Sequence, residues 1–515
     1  MAKETEFVER IAAGYAAKGA VVELGRGMLG GTTYPDAVVQ IPASMCNRHG
    51  LIAGATGTGK TKTLQLMAEQ LSAIGVPVFA ADMKGDLAGL LHPGERNDRV
   101  DERATDLGVE WAPAGSPVEF LALGGLGPGL PVRATVSAFG APLLAKVLGA
   151  NDTQTSSLSL VFRYADENAL PLLDLTDLRA VLQWLTSDEG QADLKAIGGL
   201  SSATAGVLLR SISELEQQGG EEFFGEPEFS VADLMQTRDG KGVVSCLELA
   251  AVQDKPKLFS TFLMWLLAEL FEELPEVGDL DQPKLVFFFD EAHLLFADAS
   301  KEFVDQVAQT VRLIRSKGVG VFFVTQLPDD VPGEVLAQLG NRVQHALRAF
   351  TPRDAKALKA AVTTYPKTKD YDLEEDLTQL GTGEAMVTIL SERGAPTPVV
   401  WTKLRPPVSR MSAIGDDEID AVAKASPRWL LYAEDIDRDS ARERLAARMG
   451  AAASPAAAPA PDQGEEEREP APARPKRRAK ADDGNAITGY LKSREGRQMI
   501  NTVARGVFGL LRKRR

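Results

Sequence analysis

Eight residues of this sequence carry the spacing of a phosphate-binding loop. Gly54, Ala55, Thr56, Gly57, Thr58, Gly59, Lys60 and Thr61 read G-x-x-x-x-G-K-T, a pattern with a physical rationale. Glycines at 54, 57 and 59 let the backbone curl tightly enough to aim successive N–H groups at phosphate oxygens. Lys60 is then placed to reach the β- and γ-phosphates, and the Thr61 hydroxyl to sit on Mg2+. Lys62 follows directly and is counted with the nucleotide-binding stretch. The flanks have the required order. Leu51-Ile52-Ala53 suits a short buried strand, and Leu64, Met67, Leu71 and Ile74 recur at helical spacing before Gly75, where a C-cap belongs.

A second signal is the run Lys284-Leu285-Val286-Phe287-Phe288-Phe289-Asp290-Glu291. Five consecutive large apolar residues fit a central strand covered on both faces. Such a strand delivers Asp290 and Glu291 to the top of a sheet. There Asp290 would hold Mg2+ through water and Glu291 would polarise the attacking water as general base. Gly320 to Gln326 reads as a further buried strand with a polar tip. Gln326 is either a sensor of the γ-phosphate or attacking water, or a loop residue making a hydrogen bond. Arg312 and Arg315 lie one turn apart at the end of the preceding helix, 301–316. Either could reach a neighbouring subunit's γ-phosphate as an arginine finger; either could equally be a surface arginine near a helix C-terminus.

The elements that must position these residues alternate between strand and helix, which implies an α/β fold with a mainly parallel sheet covered on both faces. Residues 1–45 read as a short N-terminal β segment, with strands over 20–24 and 36–41. The core occupies 46–100 and 240–405. In its first part Pro77 to Asp82 forms a second strand. Lys84-Gly85-Asp86 after it is either a ligand-facing loop at the strand C-termini or a solvated turn. Residues 101–239 are loop-rich and then helical, with segments near 142–149, 156–168, 176–187 and 203–217, and read as an insertion. Arg342 to Phe350, Glu384 to Leu390 and Pro398 to Thr402 are the remaining core strands. Thr351-Pro352-Arg353-Asp354 starts a helix, with Thr as N-cap and Pro first. Helices fill 406–450, an Ala/Pro-rich and charged linker 451–483, and a basic amphipathic helix 484–515. Met499, Ile500, Val503, Val507, Leu510 and Leu511 line one face of that last helix.

Composition excludes some classes. Cys46 and Cys246 stand far apart with no metal-type spacing, which points to a reducing compartment, the cytoplasm, and away from a disulfide or zinc framework. No stretch approaches the roughly 18 apolar residues of a membrane span, so no integral membrane segment is expected. The first residues carry mixed charge and no apolar core of a signal peptide. The net charge is −15, unevenly spread: from Arg474 onward thirteen Lys/Arg face three Asp/Glu, which leaves −25 on the rest. A body that acidic does not hold DNA on its outer surface; contact through a few placed residues in a pore stays open.

Taken together, G-A-T-G-T-G-K-T, F-F-F-D-E-A-H, R-L-I-R-S-K-G and F-F-V-T-Q, in that order, resemble the HerA/FtsK group of ring-forming ATPases. Asn47-Arg48-His49-Gly50, Asp82-Met83-Lys84-Gly85-Asp86 and Leu339-Gly340-Asn341-Arg342-Val343-Gln344-His345 are similar to its bacterial HerA-helicase-like (YjgR-type) branch. The resemblance implies a RecA-like P-loop NTPase core in a homo-oligomer, a hexamer, with ATP and Mg2+ between subunits and DNA in the pore. It assigns Lys60 and Thr61 to the phosphate and metal, Asp290 and Glu291 to metal and base, and Gln326 to the sensor. Arg315 fits the finger first and Arg312 second. HerA proteins carry a sizeable N-terminal β-barrel, and only about 45 residues precede the loop here, so a partner that docks on that barrel is not implied. Asp290-Glu291-Ala292-His293 also spells the DEAH of another helicase group. The downstream elements of that group are missing, and His293 reads as a helix-start residue. Two functions follow: an ATP-driven DNA helicase or translocase, or an ATP-gated assembly or scaffold protein whose C-terminal helix recruits a protein partner.

Overall fold

The apolar runs become strands, and twelve of them join in one sheet. The computed structural model describes residues 2–296, 301–436 and 438–453. In chain order the strands are β1 (Val21–Leu29), β2 (Thr32–Pro42), β3 (Gly50–Ala53), β4 (Val78–Asp82), β5 (Val118–Leu123), β6 (Leu130–Val132) and β7 (Thr237–Arg238). They continue with β8 (Lys241–Gly242), β9 (Val244–Glu248), β10 (Leu285–Phe289), β11 (Val319–Thr325), β12 (Asn341–Gln344), β13 (Glu384–Thr388) and β14 (Val400–Leu404). The order across the sheet is β2-β1-β14-β13-β12-β3-β11-β10-β4-β9-β5-β6, with β7 and β8 forming a separate small ribbon. From β12 to β6 every pairing is parallel. Beyond β12 the pairings are antiparallel.

A parallel sheet needs both faces covered, and β10 shows how the sequence meets that demand. Leu285, Phe287 and Phe289 face one apolar layer, and Val286 and Phe288 the other. Phe288 stacks on Phe322 of β11 at 5.2 Å between ring centroids, and Phe289 on Phe323 at 5.7 Å. Burial of each such ring stabilises the fold by about 2 kcal/mol. One layer is built with the helices of 136–215, Pro256–Glu273 and Lys301–Ile314. The other is built with Ala2–Gly14 and Lys60–Ala73. The parallel strands all point their C-terminal ends to one edge, where an open α/β sheet binds its ligand.

Several expectations change. Ala2–Gly14 is a helix that the sequence reading passed over; Phe7, Ile11 and Tyr15, four residues apart, are buried. β1 pairs with β14 and β2 with β1, so both extend the main sheet rather than standing apart from it. The strand expected over 342–350 stops at Gln344. There the chain wraps the phosphate loop instead: His345 N–H donates to Ala53 O at 2.7 Å, and Ala55 N–H to Ala346 O at 2.8 Å. Thr351 caps helix Pro352–Thr363 as expected, in a reciprocal capping box with Asp354. Helix Ala441–Ala453 runs into the first residues assigned by composition to the linker. The remaining linker and the amphipathic helix of 484–515 lie outside the described residues. Among the described residues, no helix is long and apolar enough to cross a membrane.

Candidate active site

The phosphate loop bridges β3 and helix Lys60–Ala73. Gly54 N–H donates to Thr325 O at 3.2 Å, which ties the loop to β11 as well as to the 345–346 segment. Gly59 is the helix N-cap at φ +112°, a left-handed conformation that a side chain would strain. Gly54 faces a tighter limit: a Cβ there would lie 2.5 Å from that of His345. Gly75, just past the helix, adopts φ +87° and satisfies Ser72 O, as its C-terminal position implies. The helix therefore presents its free N–H groups to the loop, an arrangement suited to an anion.

Lys60 is buried, and its ammonium curls back to Ala55 O at 3.2 Å. Burial lowers its pKa, against the opposing charges of Glu291 and Asp290; Lys84 and Asp330 also face it. Thr61 is partly buried in the first turn. Lys62 turns the other way, to Gln65 Oε1 at 3.1 Å and Met411 O at 2.5 Å. Its amine is thus spent on a structural contact and only its backbone remains at the loop.

β10 delivers the acidic pair to the same edge, one strand away, with β11 between it and β3. Asp290 is 2% exposed, and its Oδ1 accepts the N–H of Glu291 at 2.8 Å. Burial pushes its carboxyl up to about 6. An oxygen-donor group this desolvated suits a hard cation. Glu291 holds φ +45°, an uncommon conformation for a side-chain-bearing residue that costs on the order of 1 kcal/mol. Its Oε1 accepts a hydrogen bond from the Lys84 ammonium. Its Oε2 is buried without a hydrogen bond, although His293 Nδ1 stands 3.3 Å away. Burial raises the Glu291 carboxyl, but Lys84, His293 and Lys60 together outweigh it and leave the net shift downward. His293 is the first residue of a short helix, His293–Phe296.

Gln326 is exposed just past β11, between the loop strand and the acidic strand. Its neighbour Thr325 donates to Asp330 Oδ2 at 2.8 Å. Arg312 and Arg315 are not brought to this site. They precede the N-terminal end of β11, whereas the phosphate loop lies at the C-terminal end, about 20 Å further along the strand. Arg312 is exposed, and Arg315 lies 3.8 Å from Asp279, which also receives Arg48 at 3.4 Å. Cys46 and Cys246 are free and buried.

A family model described as "Helicase HerA-like C-terminal" matches residues 28–515. The chain belongs to this family. A relative described as a probable helicase, from Methanocaldococcus jannaschii, is 25% identical over 364 residues, covering 67% of this chain and 64% of its own. The chain thus spans about two thirds of the length of that curated relative. Among solved structures, the bacterial conjugative coupling protein TrwBΔN70, in its unbound monoclinic form, is 15% identical with a TM-score of 0.50. That match covers 78% of this chain and 94% of the other. The plasmid coupling protein TrwB in complex with ADP and Mg2+ is 16% identical, also at 0.50, covering 76% and 98%. These likenesses concern the fold.

In this HerA-like chain three residues carry more weight than motif spacing assigns them. Lys84 sits on Glu291, and Asp82, buried, shapes the turn that carries it. The signal was the polar run Asp82 to Asp86 at a strand end, which read equally well as a solvated turn. His345, buried beneath the loop, was visible only as part of a family-like segment.

Proposed function

We propose that this HerA-like chain is an ATP-hydrolysing motor, binding Mg-ATP at the phosphate loop and coupling hydrolysis to movement of DNA through a homo-oligomeric ring, a hexamer. One observation carries the reading: Lys60 and the pair Asp290–Glu291, far apart in sequence, meet at the C-terminal edge of one parallel sheet. The N–H groups of residues 54–61 and the Lys60 ammonium hold the phosphates. Thr61 and Asp290 are the residues that would hold Mg2+, which when bound offsets negative charge on the phosphates. Glu291 takes the proton of the attacking water as the new P–O bond forms and ADP leaves. Gln326 orients that water.

The position of Arg312 and Arg315 restricts any finger role to a ring. Each lies at the far end of the sheet from its own Lys60, so a role at a phosphate is open to it only on a neighbouring subunit. The acidic body confines DNA to a few placed cations in the pore.

The test is ATP turnover by the purified chain with single- and double-stranded DNA over a range of salt, with particle mass measured beside it. DNA-stimulated turnover on a six-chain particle, falling steeply with salt and absent in Lys60→Ala, is expected. Turnover indifferent to both DNA forms would favour the ATP-gated scaffold, and full turnover in Lys60→Ala would remove the phosphate-loop assignment.

A further inference from the structure

Strand order gives Glu291 a partner that no motif supplies. β4 pairs in parallel with β10, so the turn after β4 stands beside the acidic pair. Asp82 closes that turn. Its Oδ1 accepts the N–H groups of Lys84 at 3.0 Å, Gly85 at 2.8 Å and Asp86 at 3.3 Å, and its Oδ2 that of Leu87 at 2.7 Å. Gln253 holds the carbonyl of Met83. A carboxylate collecting four backbone donors fixes the path of residues 84–87. Lys84 leaves this rigid turn with its side chain about half exposed, and its ammonium ends on Glu291 Oε1, whose own side chain is 7% exposed.

Two cations, Lys60 and Lys84, thus face two buried carboxylates, Asp290 and Glu291. The ammonium on Oε1 draws charge from the whole carboxylate, the unbonded Oε2 included, so a water proton meets a weaker acceptor while the pair is intact. The terminal phosphate of a nucleotide seated at Lys60 offers the second ammonium a rival anion, since phosphate oxygens are strong charge-assisted acceptors. We propose that Lys84 is a latch on the base: it trades Glu291 for the γ-phosphate of a bound nucleoside triphosphate, and so frees Glu291 only when there is a bond to hydrolyse. The latch rests on the assignment of Glu291 as base given above. It also supplies a way to tell triphosphate from diphosphate, because ADP has no group to take the ammonium.

A double-mutant cycle on the full chain tests it. Dissociation constants for AMPPNP and for ADP are measured with Mg2+ for the wild type, Glu291→Gln, Lys84→Met and the double variant, with Lys84→Gln replacing Lys84→Met if the latter does not fold. With the latch, triphosphate binding must break the Lys84–Glu291 pair. Glu291→Gln then tightens AMPPNP by about tenfold, the scale of one charge-assisted hydrogen bond no longer broken, and leaves ADP unchanged. In the Lys84→Met background the same substitution changes nothing, and Lys84→Arg restores the gain. Simple relief of negative charge near the phosphates makes the opposite demand: the gain persists, or grows, when Lys84 is absent. That outcome overturns the latch, as does no gain in either background. Lys60→Ala separates the two levels of failure. If it binds AMPPNP as the wild type does, the phosphate site itself is wrong; if it does not bind, only the latch has failed.

Discussion

The Thr63 hydroxyl and His345 Nε2 stand 2.9 Å apart, both buried, beneath the phosphate loop. Thr63 donates to Gly59 O at 3.2 Å, so the imidazole is the donor in the pair and Nε2 carries the proton. Burial pushes the His345 pKa down to about 3, which keeps the ring neutral beside Lys60. The first turn of the loop helix is thereby pinned to the segment that wraps the loop. Thr63→Val keeps the shape and strands the imidazole N–H, at a cost of about 1–3 kcal/mol. A lower unfolding temperature together with weaker nucleotide binding is expected. An unchanged unfolding temperature would show that the pair contributes nothing.

Gly54 presses on the same histidine. A methyl group there meets His345 Cβ at 2.5 Å, and the backbone sits at φ +153°. Gly54→Ala should destabilise the chain by on the order of 2 kcal/mol and abolish nucleotide binding, read by calorimetry. Gly57, where an added Cβ meets nothing within 4 Å, is the control. Gly57→Ala should cost less in stability.

Glu248 sets a pH dependence. It is 3% exposed, and burial followed by the charge of Asp82 pushes its carboxyl up from 4.5 to about 8; Cys246 and Asp416 also face it. The folded chain therefore binds a proton that the unfolded chain has released. Stability from this group is complete below the ordinary value and is lost as pH rises through about 8. Glu248→Gln keeps the neutral form. It should match the wild type near pH 5 and be more stable near pH 9, by up to a few kcal/mol. Equal melting curves for the two proteins at pH 9 would refute this.

Arg315 should act across a subunit boundary. Arg315→Ala and Lys60→Ala are each expected to lose ATP turnover, since one lacks the finger and the other the phosphate grip. An equal mixture of the two, allowed to exchange subunits, should regain activity, because some interfaces then pair an intact Arg315 with an intact Lys60. If the mixture stays dead while mass measurement shows mixed particles, the finger is elsewhere, and Arg312 is the next to test in the same way.

The fold class and the phosphate loop were legible because their signals are local. Gly54 to Thr61 encodes its own backbone, and the unbroken Leu285 to Phe289 run fits a strand buried on both faces. Asp290 and Glu291 follow from that strand by one step. Residues whose role depends on strand order were not legible in the same way. Lys84 meets Glu291 because β4 lies beside β10, and nothing near residue 84 states that. The strand expected over 342–350 failed for a similar reason: hydrogen bonds to the Ala53 carbonyl and from the Ala55 N–H, distant in sequence, turn the chain at His345. Helix Ala2–Gly14 was missed although Phe7, Ile11 and Tyr15 carry its period, because charged residues dilute the stripe.

The three side chains that hold residues 408–411 to the loop helix have a mechanical meaning. Glu69 accepts the N–H groups of Val408 and Ser409 at 2.8 and 3.0 Å, Gln65 holds Ser409 Oγ and Arg410 O at 2.8 Å, and Lys62 reaches Met411 O. The three side chains descend one face of the helix whose first residue is Lys60. The helix is therefore a rod that starts at the phosphate-loop motif and is gripped along its flank by the chain that leads out of the sheet. A load on residues 408–411 is delivered to the helix that begins at Lys60, and a shift of that helix is delivered to residues 408–411.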